Sequence, residues 1–167
     1  MNVQENFISM NINSETIEYL GNKEILKLNK TAFLCSRHYP ASIVLKAYDW
    51  AIAQKDAGNC IISGFHSQIE KDVFYYLLNG TQPVILVHAR GLKIREDKQI
   101  LKEVEKGRLL IISPFSQKVI KITSKTAQRR NYFMAKLADE IVVGYADKGG
   151  NIERLLQKIK NKKVILI

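Results

Sequence analysis

The stretch Thr31–Ser63, TAFLCSRHYPASIVLKAYDWAIAQKDAGNCIIS, decides the fold. It opens on one apolar run, TAFLCS at Thr31–Ser36, and closes on another, NCIIS at Asn59–Ser63. Neither run alternates between apolar and polar residues, which is the pattern of parallel strands buried on both faces. Between them Ile43, Val44, Ala47 and Ala51 share one face of a helix near residues 41–57. The stretch therefore reads as strand, crossover helix, strand, the repeating unit of a parallel sheet.

The alternation continues to the C-terminus. Further strand-like runs lie at Pro83–His88 (PVILVH), Leu109–Ser113 (LLIIS), Glu140–Tyr145 (EIVVGY) and Lys163–Ile167 (KVILI). Ile69, Val73 and Leu77 mark a helix at about 67–79, and Leu101 with Val104 another before Gly107. Phe133, Met134 and Leu137 suggest a helix starting near Asn131, and Ile152, Leu155, Leu156 and Ile159 mark the last one. The expected fold is α/β, a doubly wound, mainly parallel sheet. Its ligand crevice belongs beyond the carboxyl ends of the strands, where the strand order switches.

Composition sets the bounds. A chain of 167 residues, 46% hydrophobic and 25% charged, suits one domain with a sizeable core. Residues 1–18 read as an N-terminal extension and 19–167 as the single domain. No apolar run approaches the roughly 20 residues needed to cross a bilayer. The first residues are polar and acidic, unlike a signal peptide, so a cytoplasmic protein with no membrane partner is expected. Cys35 and Cys60 sit inside apolar runs, which suits buried, reduced thiols.

The net charge is +10, and it is unevenly spread. The first 22 residues carry Glu5, Glu15 and Glu18 without a Lys or Arg, whereas Lys106–Ala138 holds no acidic residue. That second stretch includes Lys118, Lys121, Lys125, Arg129 and Arg130, a basic stripe that attracts polyanions. The loops after the strands point the same way: Ser36-Arg37-His38-Tyr39-Pro40, Ser63-Gly64-Phe65-His66-Ser67 and Ala146-Asp147-Lys148-Gly149-Gly150-Asn151. Small residues let a phosphate approach the backbone, helix N-terminal N–H groups supply donors, and Arg37 adds a guanidinium. The plainer reading keeps Gly64, Gly149 and Gly150 for tight turns and Ser36 and Ser63 for helix caps. No dinucleotide fingerprint, Walker loop or nucleophile elbow is present. His38, His66 and His88 are scattered, so no metal or other cofactor is assigned, and no catalytic residue is singled out. Trp50 reads as core, and Phe74, Tyr75 and Tyr76 as core and rim.

The ordered set of segments resembles the DprA/Smf DNA-processing family. YLGNKEIL (Tyr19–Leu26) and AFLCSR (Ala32–Arg37) are similar to its Gly-Asn…Leu and Val-Gly-Ser-Arg segments. ISGFHSQIE (Ile62–Glu70) resembles its Ser-Gly-Leu-Ala-x-Gly-Ile-Asp, and PVILVHARGL (Pro83–Leu92) its next strand and Gly-Leu turn. RRN (Arg129–Asn131) and LADEIVVGYADKGGN (Leu137–Asn151) resemble its Arg-Asn-Arg, Leu-Ser-Asp-x-Val-Val-Val and Ser-Gly-Ser. There are departures: Cys35 for Gly, Gln68 and Glu70 for Gly and Asp, Val73-Phe74 for Ala-His, Pro114 where a Ser-Glu pair supplies Glu, and Tyr132 for the second Arg.

The resemblance implies a Rossmann-like, three-layer α/β/α fold and a non-catalytic protein that binds single-stranded DNA in uptake and recombination. It implies that Ser36 and Arg37 hold a DNA phosphate, and that Ser63, Gly64 and Phe65 line the same pocket. Arg130 with Asn131 would flank it, and Gly149, Gly150 and Asn151 would give backbone donors; from the basic stripe, Arg129 joins the phosphate-binding set and Lys118, Lys121 and Lys125 form an auxiliary basic patch. Phe65, His38 or Tyr39 would stack a base. A homodimer and a RecA-type recombinase partner are expected by resemblance alone. The alternative is a small-nucleotide sensor or a LOG-like phosphoribohydrolase, in which Glu153 of Gly149-Gly150-Asn151-Ile152-Glu153 would assist loss of the base. A subunit scaffold with an inert pocket is a third reading.

Overall fold

The protein was analysed as a computed structural model that describes residues 7–93 and 96–167. A hairpin, β1 (Ile8–Ile12) and β2 (Glu15–Gly21), leads through a short 3-10 turn at Lys23–Lys27 into β3 (Lys30–Cys35). There follow α1 (Ser42–Ala57), β4 (Cys60–Ser63), α2 (Gln68–Leu78), β5 (Val84–Val87) and α3 (Lys98–Glu105). The chain ends with β6 (Leu109–Ser113), α4 (Ser124–Leu137), β7 (Glu140–Tyr145), α5 (Asn151–Lys158) and β8 (Lys163–Leu166). One 8-stranded sheet runs in the order β1-β2-β6-β5-β4-β3-β7-β8. The strands from β3 onward pair in parallel, whereas β1 with β2 and β2 with β6 pair antiparallel.

All six apolar runs form strands, and their side chains divide between two core layers. Phe33, Ile61, Val84 and Ile111 meet the inward stripes of α1 and α2, supplied by Ala47, Ala51, Ile69 and Val73. Leu34, Ile62, Ile85 and Ile112 face the other way, onto Phe133 and Met134 of α4 and Ile152 and Leu155 of α5. Helices thus cover both faces, and the fold is the expected doubly wound, Rossmann-like three-layer α/β/α arrangement. Strand order runs outward from β3 to β6, then returns to place β7 on the opposite side of β3. The switch point lies between β3 and β7. No helix among the described residues is long and apolar enough to cross a membrane.

Two expectations need redrawing. Residues 1–6 of the expected extension lie outside the described residues, but β1 and the first half of β2 fall within the rest of it. The division at 18/19 runs through β2. Ile17 and Tyr19 point inward, 0% and 8% exposed, while Thr16 and Glu18 face away from that core. Such a strand shows its inward face as period-two alternation and not as an apolar run. The second correction concerns α4, which starts at Ser124, not near Asn131. Thr123 caps it, accepting from the Thr126 N–H at 3.2 Å, and the Thr126 hydroxyl oxygen accepts from the Thr123 N–H at 2.9 Å. This reciprocal box satisfies donors that a helix start leaves orphaned. Arg130 and Asn131 therefore sit mid-helix.

If the hairpin belongs to the core, Ile17→Ala should lower stability by about 2–5 kcal/mol, read as a lower urea midpoint at unchanged slope. Thr16→Ala on the same strand should cost well under half of that, because Thr16 is exposed. Equal, small effects of the two would detach the hairpin from the core.

Candidate functional site

Beyond Leu34 the pairing of β3 with β7 shifts register, which sets Cys35 opposite Tyr145 at the strand ends. Two hydrogen bonds hold their exits together. The Ser36 N–H donates to the Tyr145 carbonyl at 2.9 Å, and the Asp147 N–H donates to Ser36 Oγ at 2.9 Å. The Ser36 hydroxyl is thereby an acceptor toward its own fold and keeps its O–H for a ligand. A cleft of 410 Å³ opens above, walled by the β3 exit, the starts of α2 and α4, and the β7–α5 loop.

The floor is organised by Glu70 in the first turn of α2, only 4% exposed. Its Oε1 accepts from the Cys35 N–H at 3.0 Å. Its Oε2 accepts from the His66 N–H at 2.8 Å and the Ser67 N–H at 3.1 Å. Ser67 Oγ in turn accepts from the Glu70 N–H at 3.3 Å, which closes a capping box. A carboxylate so occupied has little left to offer a ligand.

Arg130 reaches the same floor from α4 and is 5% exposed. Its Nε donates to Asn131 Oδ1 at 3.1 Å, its one hydrogen bond among the described residues. The guanidinium lies against Gly64, where an added Cβ would sit 2.3 Å from Arg130 Cζ. Burial pushes the Arg130 pKa down from its ordinary value, and the Glu70 charge opposes the shift. Arginine keeps its proton even so. The result is a nearly buried cation whose terminal nitrogens have no protein hydrogen-bond partner among the described residues.

Backbone donors complete the wall. Gly150 is the N-cap of α5 and has no side-chain capping bond, so the first-turn amides are left to face the cleft lined by Gly150, Asn151 and Ile152. The preceding turn is fixed at Gly149, whose φ of +69° suits a residue without a Cβ. The Gly149 N–H donates to Glu153 Oε2 at 2.7 Å. Arg37 and His38 stand exposed at the rim. The pKa of His66 is pushed down, chiefly by burial and then by the Arg130 charge. Burial, then the Glu70 charge, raises the Cys35 thiol to about 12, so it remains a thiol.

The structure brings Ser36, Arg37, Arg130, Asn131, Gly150 and Asn151 to the cleft, with Gly64 beneath Arg130. Ser63 is fully buried, donating to the Phe33 carbonyl at 2.9 Å and accepting from the Phe65 N–H at 3.2 Å. Phe65 is 6% exposed and stacked on Phe74 at 4.2 Å, so it is packed in the core and not open to a base. Tyr39 packs against the same core layer. Arg129 points elsewhere, 5.0 Å from the Phe115 ring centroid and 3.9 Å from a Glu15 oxygen. Lys118 and Lys121 are exposed on the β6–α4 loop, and Lys125 is exposed in the first turn of α4. That loop delivers Ile122 and Thr123 to the cleft. His88 is remote from it, with Nε2 at 2.8 Å from Glu96 Oε1.

Sequence reasoning did not single out Glu70, Ser67, Thr123, Ser124, Asp147 and Arg154 as site residues, yet all stand in the cleft wall. The spacings Ser67-x-x-Glu70 and Thr123-x-x-Thr126 were the available signals, since both are helix-start boxes directly after a loop.

Fold and cleft together define a Rossmann-like α/β domain with a cationic crevice at its switch point. A sequence model of the DNA recombination-mediator protein A family matches residues 7–167, and the chain belongs to that family. Its structure is similar to DNA processing protein A from Helicobacter pylori, described for its unique single-stranded DNA binding mode. The TM-score is 0.77 at 17% identity, over 99% of this chain and 82% of that one. It is also similar to DNA processing protein A from Streptococcus pneumoniae, with a TM-score of 0.75 at 19% identity. That match covers 97% of this chain but only 63% of the pneumococcal one. Among curated proteins, none matches the sequence significantly.

Because the Arg130 guanidinium rests on Gly64, Gly64→Ala should displace it while the sheet persists. The Arg130 Nε–H resonance should shift in a ¹H–¹⁵N spectrum, with stability lowered by about 1–3 kcal/mol. An unmoved resonance would mean that Gly64 does not set the guanidinium position.

Proposed function

We propose that this domain binds single-stranded DNA through its backbone phosphates at the β3–β7 cleft, in a DNA-processing or recombination-mediator role. One observation carries the reading: Arg130 is 5% exposed, yet only its Nε is hydrogen-bonded among the described residues. A buried cation without a bonded carboxylate is costly unless a ligand anion completes it. A phosphate at that point would also meet the Ser36 hydroxyl, the α5 first-turn amides and the Arg37 side chain. These groups contact phosphate and sugar, so they position a strand without reading its sequence. Family membership and the single-stranded DNA binding of the Helicobacter pylori protein support the same reading. The alternative phosphoribohydrolase role has less support, because the Glu153 carboxylate it would use is bonded to the Gly149 N–H.

Fluorescence anisotropy with a labelled oligo-dT of about 20 nucleotides, titrated at several salt concentrations, tests the proposal. Binding should be saturable and salt-sensitive, and unlabelled single strand should compete better than duplex. Arg37→Ala should weaken binding about tenfold or more, the worth of a charge-assisted hydrogen bond. It should also reduce the salt slope by about 0.7 for each phosphate that no longer meets a cation. No binding at low salt, or curves for both Arg37→Ala and Arg130→Gln identical to that of the unmodified protein, would reject the cleft as the site.

The His66 environment adds a pH dependence. Its pKa lies below the ordinary 6.5, so the folded, unliganded protein binds this proton less readily than the unfolded chain. Its contribution to stability is complete above pH 6.5 and is lost as pH falls through that value toward the lower folded pKa. A bound phosphate offsets the Arg130 charge and raises the His66 pKa, so binding takes up a proton. Affinity for oligo-dT should tighten more between about pH 7.5 and 5.5 in the unmodified protein than in His66→Gln. Parallel profiles would remove His66 from the linkage.

A further inference from the structure

We infer that the groove between α4 and α5, beside the cleft, carries the continuation of the bound single strand and that Tyr132 is its base-stacking platform. This rests on the function proposed above and extends it from a phosphate cleft to a track. The groove encloses 540 Å³ and adjoins the cleft, since Asn151 and Arg154 line both. Its remaining walls are Arg129 and Tyr132 from α4, with Leu155 and Lys158 from α5, closed by Gln128. No carboxylate is among its lining residues.

The arrangement has the two parts that single-strand recognition needs. On α4, Arg129, Tyr132 and Lys136 follow an i, i+3, i+7 stripe, and on α5, Arg154 and Lys158 are spaced i, i+4. Arg129 from α4 and Arg154 with Lys158 from α5 thereby line the groove from its two helices. Tyr132 is 42% exposed, and the Lys136 ammonium sits 5.6 Å from its ring centroid. An exposed aromatic face flanked by cations accepts a base by stacking while the cations meet the adjacent phosphates. Leu155 supplies an apolar floor. Arg129 is engaged by Phe115 and Glu15, but packing does not account for the cations of α5. Arg154 bonds only Asn151 Oδ1 among the described residues, at 2.7 Å, and Lys158 makes no ion pair among them. An acidic polypeptide would satisfy the cations but has no base to place on the ring, so nucleic acid is the better fit.

The test is an oligo-dT length series by fluorescence anisotropy on the whole chain. It compares about 4 with about 20 nucleotides, lengths that fall inside and beyond the span of a single small binding site. Tyr132→Ala and Lys158→Gln should each weaken the longer strand by roughly tenfold and leave the shorter unchanged. Tyr132→Phe, which keeps the ring face, should bind like the unmodified protein. Arg130→Gln should weaken both lengths, which separates the cleft from the groove. Equal effects of Tyr132→Ala on both lengths, or none on the longer, would overturn the track with the cleft intact. Competition by poly-glutamate as strong as by oligo-dT would reassign the groove to an acidic polypeptide. Failure of the unmodified protein to bind either length would reject the cleft and the track together.

Discussion

One buried carboxylate holds the site together. Glu70 accepts backbone N–H groups from the end of β3 and from the β4–α2 loop, and lies close enough to influence Arg130 on α4. Three separate pieces of chain are thus referred to a single side chain that water hardly reaches. Removing the carboxylate would leave the Cys35, His66 and Ser67 N–H groups without their acceptor, at about 1–3 kcal/mol for each donor that is buried. Both Glu70 oxygens are already bonded to the backbone, so they do not close off the guanidinium. The cleft is consequently anchored by a negative charge and still presents a positive one.

The doubly wound topology places donors around that charge. Because β7 returns to the opposite side of β3, the chain leaves both strands at the same edge and then enters helices. The α5 start is uncapped by any side chain, whereas α2 and α4 have closed capping boxes. Of these three starts, α5 alone has no side chain capping its first-turn amides, and Gly150, Asn151 and Ile152 line the same cleft as Arg130. Further cations lie outward on the β6–α4 loop and on the α4 and α5 surfaces. There their field attracts a polyanion from a distance.

The sequence showed what apolar runs can show. Continuous runs of Val, Ile and Leu announced the six parallel strands: β3 to β7 are buried on both faces and have no polar face to mask them, while β8 carries its run on an exposed edge. The β1–β2 hairpin was hidden for the opposite reason: Ile17 and Tyr19 are separated by the polar Glu18 and preceded by Thr16, so no apolar run marks the strand. Loop position pointed to Ser36 and Arg37, and the acid-free basic run to Arg130, and all three line the cleft. Loop position misjudged Phe65, since a loop residue with φ of +45° can still turn its ring inward and stack on Phe74. Glu70 looked like a departure from a motif, when its carboxylate is the group that organises the floor. Nothing in the local pattern says that Cys35, some 35 residues earlier, supplies one of its donors.

The most direct test is a crystal structure of the protein with a short oligodeoxythymidine. The account predicts a phosphate oxygen within hydrogen-bond distance of the Arg130 terminal nitrogens and an α5 first-turn amide, with Glu70 still bonded to its three N–H groups. An oligonucleotide bound away from the β3–β7 exit, with the Arg130 terminal nitrogens touching no phosphate, would contradict it.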